Sequence, residues 1–240
     1  MHTGVGQITE ILLDGTARLS CPKNMVPAAG QYLLAYSSAW SDTLLPMPLF
    51  RAGIDPRLGQ PVEAGRQVGR PQVAAQPRLP EAWTPGTLLS LRGALGHGFR
   101  LPGGVQRLAL AAVRVGAARL LPLAEQALAG GAAVALFGDG EWPWLPLALE
   151  AHPLSALAEA RSWPDFLALD LTLETLADLR GLLGLAAGEP LGVPAQALIA
   201  TTMVCGGMAG CGICGVPLRN GGEAQACQDG PVFELEKLDW

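Results

Sequence analysis

Over the first hundred residues, apolar and polar positions alternate in short runs: Gln7-Ile-Thr-Glu-Ile-Leu-Leu, Ala17-Arg-Leu-Ser-Cys and Gly30-Gln-Tyr-Leu-Leu-Ala-Tyr. A period of two puts every second side chain on one buried face, and Gly and Pro close each run. Residues 1–102 are therefore expected to form a small antiparallel β-barrel or sandwich. Residues 51–85, rich in Pro, Gly and Gln, break the alternation and are expected to hold weakly paired strands and long loops. From Val105 the pattern changes. Residues 107–113 and 132–137 are continuous apolar runs, separated by a helical stretch, 117–129, that ends at Gly130-Gly131. That is a β-α-β unit with a parallel sheet buried on both faces. Fainter repeats follow: a helix over 153–160, a strand over 165–170, an amphipathic helix over 172–183 and a strand over 195–201. Residues 103–202 thus predict an α/β domain, and 203–240 a separate terminal segment.

The last strand runs into the most informative chemistry of the chain. Cys205, Cys211 and Cys214 share one glycine-rich loop with spacing C-x5-C-x2-C, and Cys227 follows thirteen residues after Cys214. Thiolates this close bind a metal or become oxidised. Three cysteines from one loop and a fourth from a separate segment approach the spacing of plant-type 2Fe–2S proteins, C-x4-C-x2-C…C. A 2Fe–2S cluster on Cys205, Cys211, Cys214 and Cys227 is the expectation. Structural zinc is the alternative, although only Cys211 and Cys214 make a zinc-type knuckle and no histidine is near. Asn220-Gly221 predicts a two-residue hairpin that returns Cys227 to the loop. Cys21, alone among strand residues, reads as a buried small hydrophobe.

Composition narrows the setting. Half of the 240 residues are apolar and only 15% are charged, against about 25% in an average domain. So little charge suggests surface covered by a partner or a cofactor. A net charge of −5 without a basic run excludes an electrostatic footprint for nucleic acid. Residues 108–137 are apolar but carry Arg114, Arg119 and Glu125, which argues against a membrane span. The N-terminus has no basic flank followed by an apolar stretch, so no signal peptide is expected, and free metal-binding thiolates suit a reducing cytoplasm. No Ser-His-Asp grouping, paired-carboxylate spacing or HExxH motif supports hydrolysis. His97 reads as a polar turn residue, and Trp142 and Trp144 as indoles packed on their own domain.

Barrel, α/β unit and terminal cysteine cluster, in that order, resemble the electron-transfer subunit of two-subunit, NAD-linked dihydroorotate dehydrogenases in the ferredoxin-reductase-like superfamily. The residues carrying the resemblance are the cysteine loop, Asp229-Gly-Pro-Val-Phe233, Gly30-Gln31-Tyr32 and Gly93-Ala-Leu-Gly96-His-Gly98-Phe99. It implies an FAD in the barrel, contacted by Gly30, Gln31, Tyr32, Gly96 and Gly98, and a 2Fe–2S cluster in the tail. It also implies hetero-oligomeric assembly with a catalytic, FMN-containing subunit that oxidises dihydroorotate. On that pattern this chain is an electron relay of pyrimidine synthesis without a substrate site of its own.

Three features depart from the family pattern, the mildest being five residues instead of four between Cys205 and Cys211, which a glycine-rich loop tolerates. The family's arginine-proline-x-serine box for the flavin phosphate is replaced by Leu45-Pro46-Met47-Pro48, leaving Arg51 as a substitute in a shifted register. Its glycine run after the first α/β strand is reduced to Gly116, with Arg114 added. FAD therefore rests on the family alone, and NAD is not expected. The remaining alternative is a non-redox zinc or scaffold module on the same fold.

Overall fold

A computed structural model describes residues 2–12, 15–37, 45–53, 72–76, 79–140, 142, 145–208 and 210–240. Six strands, β1 (His2–Ile11), β2 (Ala17–Ser20), β3 (Tyr32–Ser37), β4 (Met47–Ala52), β5 (Gln72–Gln76) and β6 (Leu88–Leu95), close an antiparallel barrel in the order β1-β2-β5-β4-β3-β6. The alternation seen in the sequence decides which side chains fill it. Ile8, Leu19, Leu33, Ala35, Leu49, Leu89 and Leu91 point inward with Met25 and Trp83, and Cys21 is fully buried among them. On the intervening positions Tyr32, Leu34 and Phe50 point outward, yet they too are buried. That outer face is covered by the rest of the chain.

The covering body is a six-stranded sheet of β7 (Arg107–Val113), β8 (Ala133–Gly138), β9 (Leu149–His152), β10 (Phe166–Thr172), β11 (Ala195–Ala200) and β14 (Val232–Glu234), in the order β14-β11-β10-β7-β8-β9. All neighbours are parallel except β14, which pairs antiparallel with β11. The short strands β12 (Gly215–Pro217) and β13 (Glu223–Gln225) form a hairpin in the tail. Helix α1 (Leu121–Ala129) makes the first crossover. Its start is set by Pro122, and residues 117–119 before it form a separate 3-10 turn. Of the two later helices expected, only α2 (Leu157–Ala160) and α3 (Leu179–Leu182) are α-helical, each preceded by a 3-10 stretch. One apolar cluster joins the sheet core to Tyr32, Leu34 and Phe50 of the barrel and to Cys214 and Cys227 of the tail.

The hairpin expectation needs correction. Pro217 pairs with Glu223, so five residues, not two, make the turn, and Gly221 and Gly222 both take left-handed φ values of about 80°. Hydrogen bonds from Leu218 N to Gly222 O and from Gly221 N to Leu218 O close it. Trp144 and most of 51–85 lie outside the described residues. No helix among the described residues is long and apolar enough to cross a membrane.

Candidate functional site: the cysteine loop on the barrel

Strand β11 ends at Ala200 and delivers the chain to Cys205 at the seam between sheet and barrel. Gly206 lies directly on the barrel wall with φ +51°. A Cβ there would meet Leu34 Cδ2 at 2.8 Å and Arg92 Nη2 at 3.0 Å, so glycine is required both for the turn and for the approach. Met208 N donates to Cys205 O (3.1 Å), and Gln228 Nε2 donates to Gly207 O (3.2 Å). On the return leg, Ala226 N donates to Cys214 O (3.0 Å), which aligns Cys214 with Cys227. Tyr32 then reaches out of the barrel, and its hydroxyl donates to Cys227 O (3.2 Å).

The four cysteines singled out in the sequence are brought together, with Cys227 near both Cys214 and Cys205. Cys205 and Cys211 have sulfurs 3.6 Å apart, and Cys214 and Cys227 have sulfurs 3.2 Å apart. None is in a disulfide. The first pair faces solvent, with Cys211 exposed and Cys205 half-buried, while the second is buried. Two thiolates on one tetrahedral metal with bonds of about 2.3 Å stand about 3.7 Å apart. Each pair therefore has the bite of one metal ion. No set of three or more His, Cys, Asp or Glu among the described residues is disposed around a single ion. Burial, followed by the neighbouring Cys214 and Cys205, pushes the Cys227 thiol up to about 12. Metal would have to displace that proton, so loading is coupled to proton release. Burial also raises the Tyr32 phenol, and nearby Cys227 raises it further while Arg92 opposes the shift.

The glycine-rich pieces assigned to a flavin meet protein atoms. A Cβ on Gly96 would lie 2.6 Å from Pro231 Cδ and 3.1 Å from Tyr32 Cε1, and one on Gly30 would lie 2.6 Å from Val232 Cγ2. Gly98 abuts the backbone of Ala29. Gln31 accepts from Ala28 N (3.0 Å) and donates to Gly96 O (3.0 Å). His97 bridges to the tail: its ring Nδ1 is 3.0 Å from Asp229 O, and its carbonyl accepts from Val232 N. These two family-like segments are thus fitted to one another, which seats β14 and the loop behind it. Arg51 ion-pairs with Glu125 of α1 (3.6 Å), and Met47 on the same strand supplies no donor. Gly116 is open, with nothing near its Cα on the side-chain face.

Sequence reasoning missed two arginines. Arg92 on β6 lies under the cysteine loop, where Nη2 donates to the carbonyls of Cys205 (3.4 Å) and Gly206. Arg119, in the turn after β7, makes a two-pronged bond to the fully buried Asp170 of β10 (Nε–Oδ2 2.9 Å, Nη2–Oδ1 2.7 Å). Its guanidinium also lies 5.2 Å from the Phe50 ring centroid. Strands β7 and β10 flank the switch point of the sheet, since the chain runs outward through β8 and β9 and returns beside β7. Ligands of open α/β sheets bind at the carboxyl ends of such strands, and the Arg119–Asp170 pair joins β10 to the turn after β7 on this side of the sheet. A cavity of about 860 Å³ opens at the other end of β11, lined among others by Arg180, Leu191, Arg219 and Trp240, and shares no residue with the cysteine site.

No protein-family model and no curated protein sequence matches the chain. Solved structures do match in fold. The NADH-dependent reduced ferredoxin–NADP oxidoreductase, described for flavin-based electron bifurcation, superposes with a TM-score of 0.68 at 16% identity, covering 100% of this chain and 91% of that one. A ferredoxin reductase of carbazole 1,9a-dioxygenase gives a TM-score of 0.54 at 15% identity, covering 80% of this chain and 67% of that one. An Amycolatopsis cytochrome P450 reductase gives 0.53 at 14% identity, covering 76% and 66%. The chain shares the fold of these reductases.

Proposed function

We propose that the chain is an iron–sulfur electron-transfer subunit of a flavoprotein oxidoreductase, with Cys205 and Cys211 holding one iron and Cys214 and Cys227 the other. The observation that carries this reading is the convergence of the four cysteines, distant in sequence, at one seam of the fold. The pairs at 3.6 and 3.2 Å have spacings that two thiolates on one metal can take, and the C-x5-C-x2-C loop with a remote fourth cysteine favours a two-iron centre, which these cysteines would hold, over zinc. Such a centre supplies one-electron transfer. The chain's own residues hold it at the seam, exclude water from the Cys214–Cys227 side and leave the Cys211 side open, flanked by exposed Met208 and Ile213. An open edge of that kind suits delivery of electrons to or from a partner.

The fold proposes FAD as a second cofactor, because one of the similar ferredoxin reductases is described in an FAD apo form. The residues here do not repeat the usual anchor: Arg51 is taken by Glu125, and no other cation stands on β4. No electron step is assigned to a flavin for that reason. The proposed partner, by resemblance, is an FMN-containing dihydroorotate dehydrogenase-like subunit in the cytoplasm.

Anaerobically purified chain should contain about two irons and about two acid-labile sulfides per molecule, with visible charge-transfer absorption. Stoichiometric zinc in colourless protein would overturn the redox reading. Flavin extraction from the same sample decides FAD. Native pull-down followed by a dihydroorotate oxidation assay tests the partner, and Cys211→Ser should abolish dye reduction by the reconstituted complex.

A further inference from the structure

The barrel wall beneath the cysteine loop carries a charge that folding alone does not call for. Arg92 is only 8% exposed. Alternation along β6 sends Leu89 and Leu91 into the barrel and Arg92 outward, opposite Leu34 of β3 and under Gly206. One nitrogen, Nη2, donates to the carbonyls of Cys205 and Gly206, whereas Nε and Nη1 are buried without a partner among the described residues. No carboxylate among the described residues pairs with this cation. Burying a guanidinium charge uncompensated costs several kcal/mol. Arg92 reaches the carbonyl of Cys205 while the Tyr32 hydroxyl reaches that of Cys227, so the cation sits at the wall on which the cysteine-bearing segments meet.

We infer that Arg92 is the counter-charge of the cysteine site: a positioning residue that fixes the Cys205–Gly206 backbone and raises the reduction potential of the iron–sulfur group held there. The inference rests on the iron–sulfur reading above. An iron–sulfur group on four thiolates gains one negative charge when reduced. A fixed cation in a water-poor, weakly screening environment stabilises that reduced form more than the oxidised one. The two carbonyl contacts hold the charge against the loop and not against the barrel interior.

The test compares the full-length wild type with Arg92→Gln, which keeps a donor for the two carbonyls but loses the charge, and Arg92→Lys, which keeps the charge but loses the fork. Iron and labile sulfide are quantified first. Each protein is then titrated with dithionite against mediator dyes, following visible absorption and the electron paramagnetic resonance signal. At the potential where wild type is half reduced, Arg92→Gln should shift at least about tenfold toward the oxidised form, about 59 mV for one electron. Arg92→Lys should stay within about threefold of wild type, about half that shift. A Gln variant that titrates like wild type, or a Lys variant displaced as far as the Gln variant, overturns the inference while leaving the iron–sulfur reading intact. Loss of iron from Gln but not from Lys supports a charge requirement, and loss from both reduces Arg92 to a packing residue. Wild type without iron or sulfide removes the underlying reading, and the inference with it.

Discussion

Arg114 shows how a single residue departs from what its backbone prefers. Among the described residues it is the one non-glycine residue in the left-handed region, with φ 56°. It stands in the turn after β7, where the family-like pattern calls for glycines. An L-residue in that conformation costs about 1–2 kcal/mol, because Cβ crowds the following carbonyl. The side chain recovers little: its ion pair with Asp178 (3.0 Å) joins two groups that are both more than half exposed, and such pairs contribute about 0–1 kcal/mol. Arg114→Gly should therefore raise the unfolding free energy by about 1 kcal/mol, after the extra entropy that glycine loses on folding. Urea denaturation at low and high salt checks this. A drop in stability that disappears in high salt would mean the Asp178 pair outweighs the backbone strain.

At the scale of elements, the Arg119–Asp170 bond is where the β7 turn and β10 are locked, and its energetics depend on pH. Burial raises the Asp170 carboxyl to about 6, with Arg119 pulling against that rise. The folded pKa lies above the unfolded one, so between about pH 4 and pH 6 the native state holds a proton that the unfolded chain releases. Stability consequently falls as pH rises through that window, by about 3 kcal/mol for a shift of this size. Arg119→Met removes the group that lowers the pKa and leaves a buried carboxylate without its counter-charge. The variant should lose about 3–5 kcal/mol at pH 8 and markedly less at pH 5, where Asp170 is protonated. Denaturant midpoints at the two pH values are the measurement, and equal losses at both would show that packing against Phe50, not charge, is what Arg119 supplies.

The same scale explains what could be read from the chain beforehand. Strands β7, β8, β10 and β11 announce themselves as apolar runs because both of their faces are buried. Strand β9 buries only Leu149 fully among its four residues, and β14 follows directly on Pro231; neither has a periodicity to detect. The expected helix over 172–183 is broken at its start, where Thr175 Oγ1 donates to Thr172 O (3.0 Å) and residues 173–178 tighten into 3-10 geometry. The convergence of the cysteines was legible because their spacing along the chain points to one loop and one returning segment. Arg92 and Arg119 were not, since their burial depends on barrel register and on contacts between segments distant in sequence.

For the whole molecule, the terminal segment is where fold and chemistry meet. Read along the sequence, residues 203–240 look like an attachment that brings Cys227 to a loop; in space they also cap the sheet. Val232, Phe233 and Leu235 are buried, with Leu238, against β11 and its neighbours, and β14 covers what would otherwise be an open sheet edge. Burial of four such side chains contributes about 6–12 kcal/mol, comparable with the entire stability of an ordinary domain, about 5–15 kcal/mol. A chain ended at residue 225 should therefore fail to unfold cooperatively in a thermal or urea transition, whatever metal is supplied. Cys227→Ser keeps β14, the Tyr32 contact to the residue-227 carbonyl and the His97 clamp. It should retain a cooperative transition and, on the iron–sulfur reading, lose iron. If both variants behaved alike, the tail would have a single role. If they separate as stated, sheet closure is independent of metal, and the site is assembled on a scaffold that is already folded when the metal arrives.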